Sequence, residues 1–197
     1  MAAQTINSRL LPFRLYDSVN DVFTFWSLEA DAVAGSFVKV KSANPDEMAK
    51  YASTDVGGDY SNVTSKMFNV VNRIELTTGG ENKHQVLGMT LMNVETTDDN
   101  GLPLKLFPDV KTRRKAVLPG EAVPVVKRGL FMLSTDAIGS GTAGIDKVAV
   151  ISSTNGKIDA VAATDVGSGT DPEDVVGTFR SSVSTKHGGR VLFELQL

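Results

Sequence analysis

The sequence predicts an all-β protein, and three observations carry that expectation. Apolar residues recur with period two far more often than with period 3.6, the chain is rich in Val, Thr and Ser with 18 glycines in 197 residues, and turn chemistry punctuates the alternating segments. A period of two puts alternate side chains on opposite faces of a pleated strand, which is how a half-buried sheet is written in letters.

Along the chain, residues 35–41 alternate so that Val38 and Val40 are expected to face inward, with Phe37 covering an edge or touching a neighbour. Residues 73–77 set Ile74 and Leu76 against Arg73, Glu75 and Thr77, a half-buried strand. Residues 85–94 carry apolar side chains on both parities, Leu87, Met89 and Leu91 against Val86 and Met92, so both faces should meet protein. Asp98-Asp99-Asn100-Gly101 and Pro119-Gly120 read as turns, since Asn and Gly accept positive φ. In the strand-like stretch 123–133, Pro124 has no N–H to give a ladder and is expected at a strand start, an edge or a bulge. Further strands are expected at 147–151, 157–162, 176–180 and 190–197, the last with Val191, Phe193, Leu195 and Leu197 on one face. The glycine-rich segments 139–144 and 167–170 read as loops. One short helix is expected near residues 45–52: Asn44 suits the N-cap, Pro45 the first helical position, and Glu47 completes a capping box.

Composition removes several classes of function. Hydrophobic residues make up 41% and charged residues 22%, a globular balance, and no run approaches the roughly 20 apolar residues of a membrane-spanning helix. The first residues lack the basic-then-apolar pattern of a secretory leader, so the chain is expected to be made and kept in a cytoplasm. With no cysteine there are no disulfides, thiolate zinc sites or cysteine nucleophiles. A net charge of −3 speaks against nucleic acid as a partner.

Chemistry-bearing motifs do not converge. His84 and His187 stand far apart in polar contexts that read as surface. Residues 139–144 have dinucleotide-loop spacing by letters, but strand-like residues follow where a helix N-terminus would have to hold the phosphates. Asp165, Asp171, Glu173 and Asp174 lack the order that wraps carboxylates around calcium. Trp26 reads as core, and the sequon Asn62-Val63-Thr64 carries no weight without a secretory leader. No catalytic residue, cofactor or metal is assigned, and the chain is expected not to be an enzyme.

The strongest charge feature is Lys111-Thr112-Arg113-Arg114-Lys115. It reads either as a solvated connector or as a dock for an acidic partner surface, with Lys127 and Arg128 extending the patch. A proline-broken stretch at 102–108 divides the chain into an N-terminal arm and β-rich region, 1–110, and a C-terminal β module, 111–197.

The segment from Leu118-Pro119-Gly120 through Val123-Pro124-Val125-Val126-Lys127-Arg128-Gly129-Leu130-Phe131, the glycine-rich middle, Val176-Gly177-Thr178-Phe179-Arg180 and the alternating terminal strand together resemble bacteriophage capsid decoration (cement) proteins. The resemblance spans residues 116–197 and lies in the succession of turns and strands. It implies a compact β-barrel, β-tulip or sandwich-like module on the outside of a virion. The implied partner is the major capsid protein, and the implied state a homo-oligomer, with a trimer favoured. A tail or head-fibre component is the runner-up. A particle-displayed carbohydrate-binding adhesin is the alternative from another class, for which Tyr16, Trp26, Tyr51 and Tyr60 are the candidate aromatic platforms.

Overall fold

A computed structural model describes residues 10–41, 73–184 and 189–197. In chain order its strands are β1 (Leu10–Leu15), β2 (Val22–Leu28), β3 (Phe37–Val40), β4 (Arg73–Leu76), β5 (Val86–Thr90), β6 (Asn93–Val94), β7 (Ala116–Val117), β8 (Ala122–Val126), β9 (Arg128–Ser134), β10 (Lys147–Ile151), β11 (Ile158–Ala162), β12 (Val175–Phe179) and β13 (Arg190–Gln196). They form an antiparallel six-stranded sheet in the order β1-β9-β13-β12-β10-β11, a closed barrel β2-β4-β3-β5-β8, and a parallel pair β6-β7. The fold is all-β, and the strands expected at 147–151, 157–162, 176–180 and 190–197 are β10 to β13.

Two apolar cores account for the architecture. One fills the barrel with Leu28, Val38, Ile74, Val123 and Val125; the other lies between barrel and sheet and gathers Phe37, Met89, Val126, Phe131, Phe179 and Phe193. Strands β3, β5 and β8 separate the two and bury both faces, so neighbours in sequence serve different cores. Phe37 goes to the seam and Val38 to the barrel, each fully buried. Val38 faces inward as expected, while the expectations for Phe37 and Val40 are corrected. Phe37 meets Phe193 edge-on at 6.2 Å rather than covering an edge, and Val40, at the strand's end, is 46% exposed. The half-buried strand expected at 73–77 is β4, whose Ile74 and Leu76 both pack on the barrel core.

Pro124 lies within β8, a strand of the barrel wall, opposite a bulge. Phe23 pairs with Val125 and Trp26 with Val123, so two residues of β2 stand against the one residue that lacks an N–H. The open edge of β11 is handled by the segment expected to be a plain loop: Gly139 N donates to Ile158 O, and Ala160 N to Ser140 O. Glycine is required for this approach, because a Cβ on Gly141 would lie 2.3 Å from Ala160 O.

The helix expected near residues 45–52 lies outside the described residues. The α-helix that is described, α1 (Pro108–Arg114), falls where a connector was one of the two readings. Pro108 opens it with φ preset, Asp109 stands at its positive end and Lys111, Arg113 and Arg114 at its negative end, and Lys115 closes it in the left-handed region at φ 51°. The division at residue 110 does not coincide with a boundary between sheets. β1 pairs with β9, and β8 closes the barrel against β2 and β5, so both units draw strands from either side of it.

Candidate partner-binding surface

Because β6 and β7 run parallel, the chain between them cannot turn back as a hairpin and must cross over. Residues 95–115 make that crossover. It opens with the expected turn, where Asp98 Oδ1 accepts from Asn100 N at 2.9 Å and Leu102 N at 2.7 Å and Gly101 takes φ 78°. Leu104 plugs it into the body, fully buried, and α1 carries the chain back.

Charge fastens the excursion at both ends. Arg114 donates from Nε to Glu95 at 2.9 Å and grips Asp99 with both terminal nitrogens, at 2.8 and 3.0 Å. The paired Asp99 and Glu95 raise the guanidinium above its ordinary value, while Arg114 holds the Asp99 carboxyl below its own. Lys111 Nζ reaches Glu121 at 2.5 and 2.7 Å, and Glu121 also accepts Leu118 N at 2.8 Å. Burial pushes the Glu121 carboxyl up, but Lys111 and the Leu118 N–H outweigh it and leave it lowered.

The six basic residues singled out by sequence therefore do not form one patch. Lys111 and Arg114 are spent on holding the excursion, so only Arg113 and Lys115 are exposed cations of that run. Lys127 lies over the Phe23 ring at 5.2 Å, and Arg128 is exposed at the start of β9. These two follow β8 while the Lys111–Glu121 pair precedes it, a separation of roughly 20 Å at about 3.3 Å per extended residue.

Sequence reasoning missed the exposed apolar residues of the excursion. Leu106 is 71% exposed, and Leu102 and Phe107 are each 42% exposed, on the same excursion as Arg113 and Lys115. The signal was present as an apolar run interrupted by Pro103 and Pro108: it cannot join a ladder, yet it carries more hydrophobicity than a solvated connector needs.

The remaining expectations fall as follows. His84 is exposed on a turn, and His187 lies outside the described residues. Residues 139–144 cover an edge and lead into β10, with no helix behind them. Asp171 accepts from Glu173 N at 3.0 Å in an exposed turn. Of Trp26 only the backbone pairing with Val123 is described, while Tyr51, Tyr60 and Asn62 lie outside the described residues. No family model, curated protein or solved structure matches the chain.

Proposed function

We propose that this chain is a structural virion protein that binds the outer surface of a phage capsid and stabilises the assembled shell by bridging its subunits. The observation that carries the proposal is the 95–115 excursion, which exposes Leu102, Leu106 and Phe107 on the same segment as the exposed Arg113 and Lys115 while ion pairs hold its backbone in place. Exposed aromatic and aliphatic groups on a fixed backbone are the components of a protein-binding centre, because little conformational entropy is lost when they are buried. The basic side chains of the same segment suit an acidic partner, steering approach more than adding affinity. Repeated over a lattice, contacts of modest strength add through multivalency, and binding only the assembled shell favours it by mass action.

Co-sedimentation with purified phage heads lacking the protein tests this. The wild-type chain should pellet with the heads, and Leu106→Ser with Phe107→Ser should pellet at least about ten-fold less, the loss of one apolar anchor. Wild-type chain that stays in the supernatant at all salt concentrations would overturn the proposal.

A further inference from the structure

The chain contains two Asn-Gly pairs, Asn100-Gly101 and Asn155-Gly156. In such a pair the glycine nitrogen, unhindered by a side chain, can attack the asparagine side-chain carbonyl carbon. A bond from glycine N to Cγ closes a succinimide, and the Cγ–Nδ2 bond breaks as ammonia leaves with the glycine N–H proton. Water then adds across either C–N bond of the imide and opens the ring to aspartate or isoaspartate. Water is the whole co-reactant. The fold treats the two pairs differently. Both asparagines are exposed, so the difference lies in the attacking nitrogen. Gly156 is buried, its N–H donates to Thr77 O at 2.9 Å, and its carbonyl accepts Phe37 N at 3.0 Å. A Cβ there would lie 3.1 Å from both Leu76 Cδ2 and Ser36 Cβ, so the glycine is packed as well as bonded. Freeing its nitrogen means lifting the tip of the β10–β11 hairpin off β3 and the end of β4. Gly101 is exposed at φ 78°, with open space where a Cβ would project, and its N–H donates to Asp98 O at 3.0 Å inside its own turn. Freeing that nitrogen opens only the turn.

We infer that Asn100 is a self-modification site of the folded protein, converted through a succinimide with Gly101, and that the fold protects the like pair Asn155-Gly156. The product bears on the excursion. Asn100 donates from N to Asp98 Oδ1 at 2.9 Å and from Nδ2 to Asp98 Oδ2 at 3.4 Å, next to Asp99, the partner of Arg114. Conversion replaces the Nδ2 donor by an anion beside Asp98. Isoaspartate also lengthens the main chain by a carbon inside the turn that Gly101 N and Leu102 N close on Asp98. Both changes loosen the entry to the excursion. The chemistry needs no partner, so it stands apart from the proposed attachment.

The test is a time course of the full chain at neutral pH, folded and unfolded in urea. Peptide mass spectrometry follows each asparagine by the mass gain of amide to acid and by the separate elution of the isoaspartyl peptide. In the folded chain Asn100 should convert at least about ten-fold faster than Asn155, the scale of one further hydrogen bond that opening at Gly156 must break. In urea, where neither glycine is held, the two should convert at similar rates. Folded chain modified at Asn100 and separated by ion exchange should exchange the amides of residues 98–102 with deuterium faster than unmodified chain, while β9 and β13 keep their protection. Asn100 unconverted in the folded chain, equal folded rates at the two sites, or Asn155 still the slower in urea would each overturn the inference. Unchanged exchange at residues 98–102 after conversion would overturn its bearing on the excursion.

Discussion

The seam between barrel and sheet and the 95–115 excursion are stabilised by opposite means. At the seam Phe37, Phe131, Phe179 and Phe193 are buried to within a per cent or so, and rings meet at 5.5 and 6.2 Å. On the excursion Leu104 is buried, Leu102, Leu106 and Phe107 are exposed, and Arg114 and Lys111 supply the fastening. Apolar burial is undirected and strong in sum, whereas ion pairs at partly exposed positions are directed and individually weak. A region held in the second way can keep its shape while leaving its apolar groups for a partner.

The largest effect expected from breaking this contrast is on the seam side. Phe193→Ala removes a ring that touches both Phe37 and Phe179, and the usual cost of emptying such a site is about 3–5 kcal/mol. Urea unfolding should show a midpoint falling for barrel and sheet probes together, because the two units share this core. Separate transitions, with the barrel unmoved, would mean that the seam does not couple them.

A smaller effect tests whether directed bonds can matter within the barrel. Glu81, which is buried, accepts from Lys39 Nζ at 2.7 Å, Gly79 N at 2.7 Å and Thr78 N at 3.0 Å. Burial raises its pKa, but the Lys39 ammonium and these donors prevail and hold the carboxyl below its ordinary value. A depressed folded pKa gives stability that is fully present above the unfolded value of about 4.3 and is lost as pH falls through the folded one. Glu81→Gln should therefore cost about 1–3 kcal/mol at pH 7 and less as the pH drops below about 4. Melting temperatures of both proteins from pH 7 to pH 3 should converge; parallel curves would remove Glu81 from the acid response.

Arg114→Ala should be smaller still in global terms and confined to the excursion. Amides of residues 98–114 should exchange with deuterium about ten-fold faster or more, as when one charge-assisted bond opens locally, while β9 and β13 keep their protection. Uniformly faster exchange would show that the excursion supports the whole fold.

The same contrast explains what was legible in the sequence. Parity identified β4 and β10 to β13, whose inward residues repeat with period two, and it required a special place for Pro124, which the bulge in β2 supplies. It misjudged Phe37 because β3 buries both faces, and single-faced alternation cannot indicate which parity meets the larger core. It missed the edge cover at Gly139 and Gly141 because close backbone approach and loop flexibility use the same residue. The candidate surface was least legible. Lys111 and Arg114 look identical in letters to Arg113 and Lys115, and only long-range pairing with Glu121, Glu95 and Asp99 separates the cations that hold the excursion from those free to meet a partner.

That separation makes the smallest stability effect the most informative about binding. Reversing all four cations of the run would cut both fastenings and confound unfolding of the excursion with loss of docking. Arg113→Glu with Lys115→Glu avoids this, since both side chains are exposed and form no ion pair among the described residues. Two anions at the negative end of α1 should cost no more than about 1–2 kcal/mol, local to the helix, so the protection of β9 and β13 should stay as in the wild type and the ion pairs of Lys111 and Arg114 should persist. On the proposed attachment, binding to heads should nevertheless weaken, because each attraction to an acidic shell would become a repulsion, and the wild-type advantage should shrink as salt rises from low to about 0.5 M and the Debye length contracts. If the double variant pellets as well as the wild type at low salt, the cations are solvated bystanders, and the proposed attachment through the excursion rests on its apolar residues Leu102, Leu106 and Phe107.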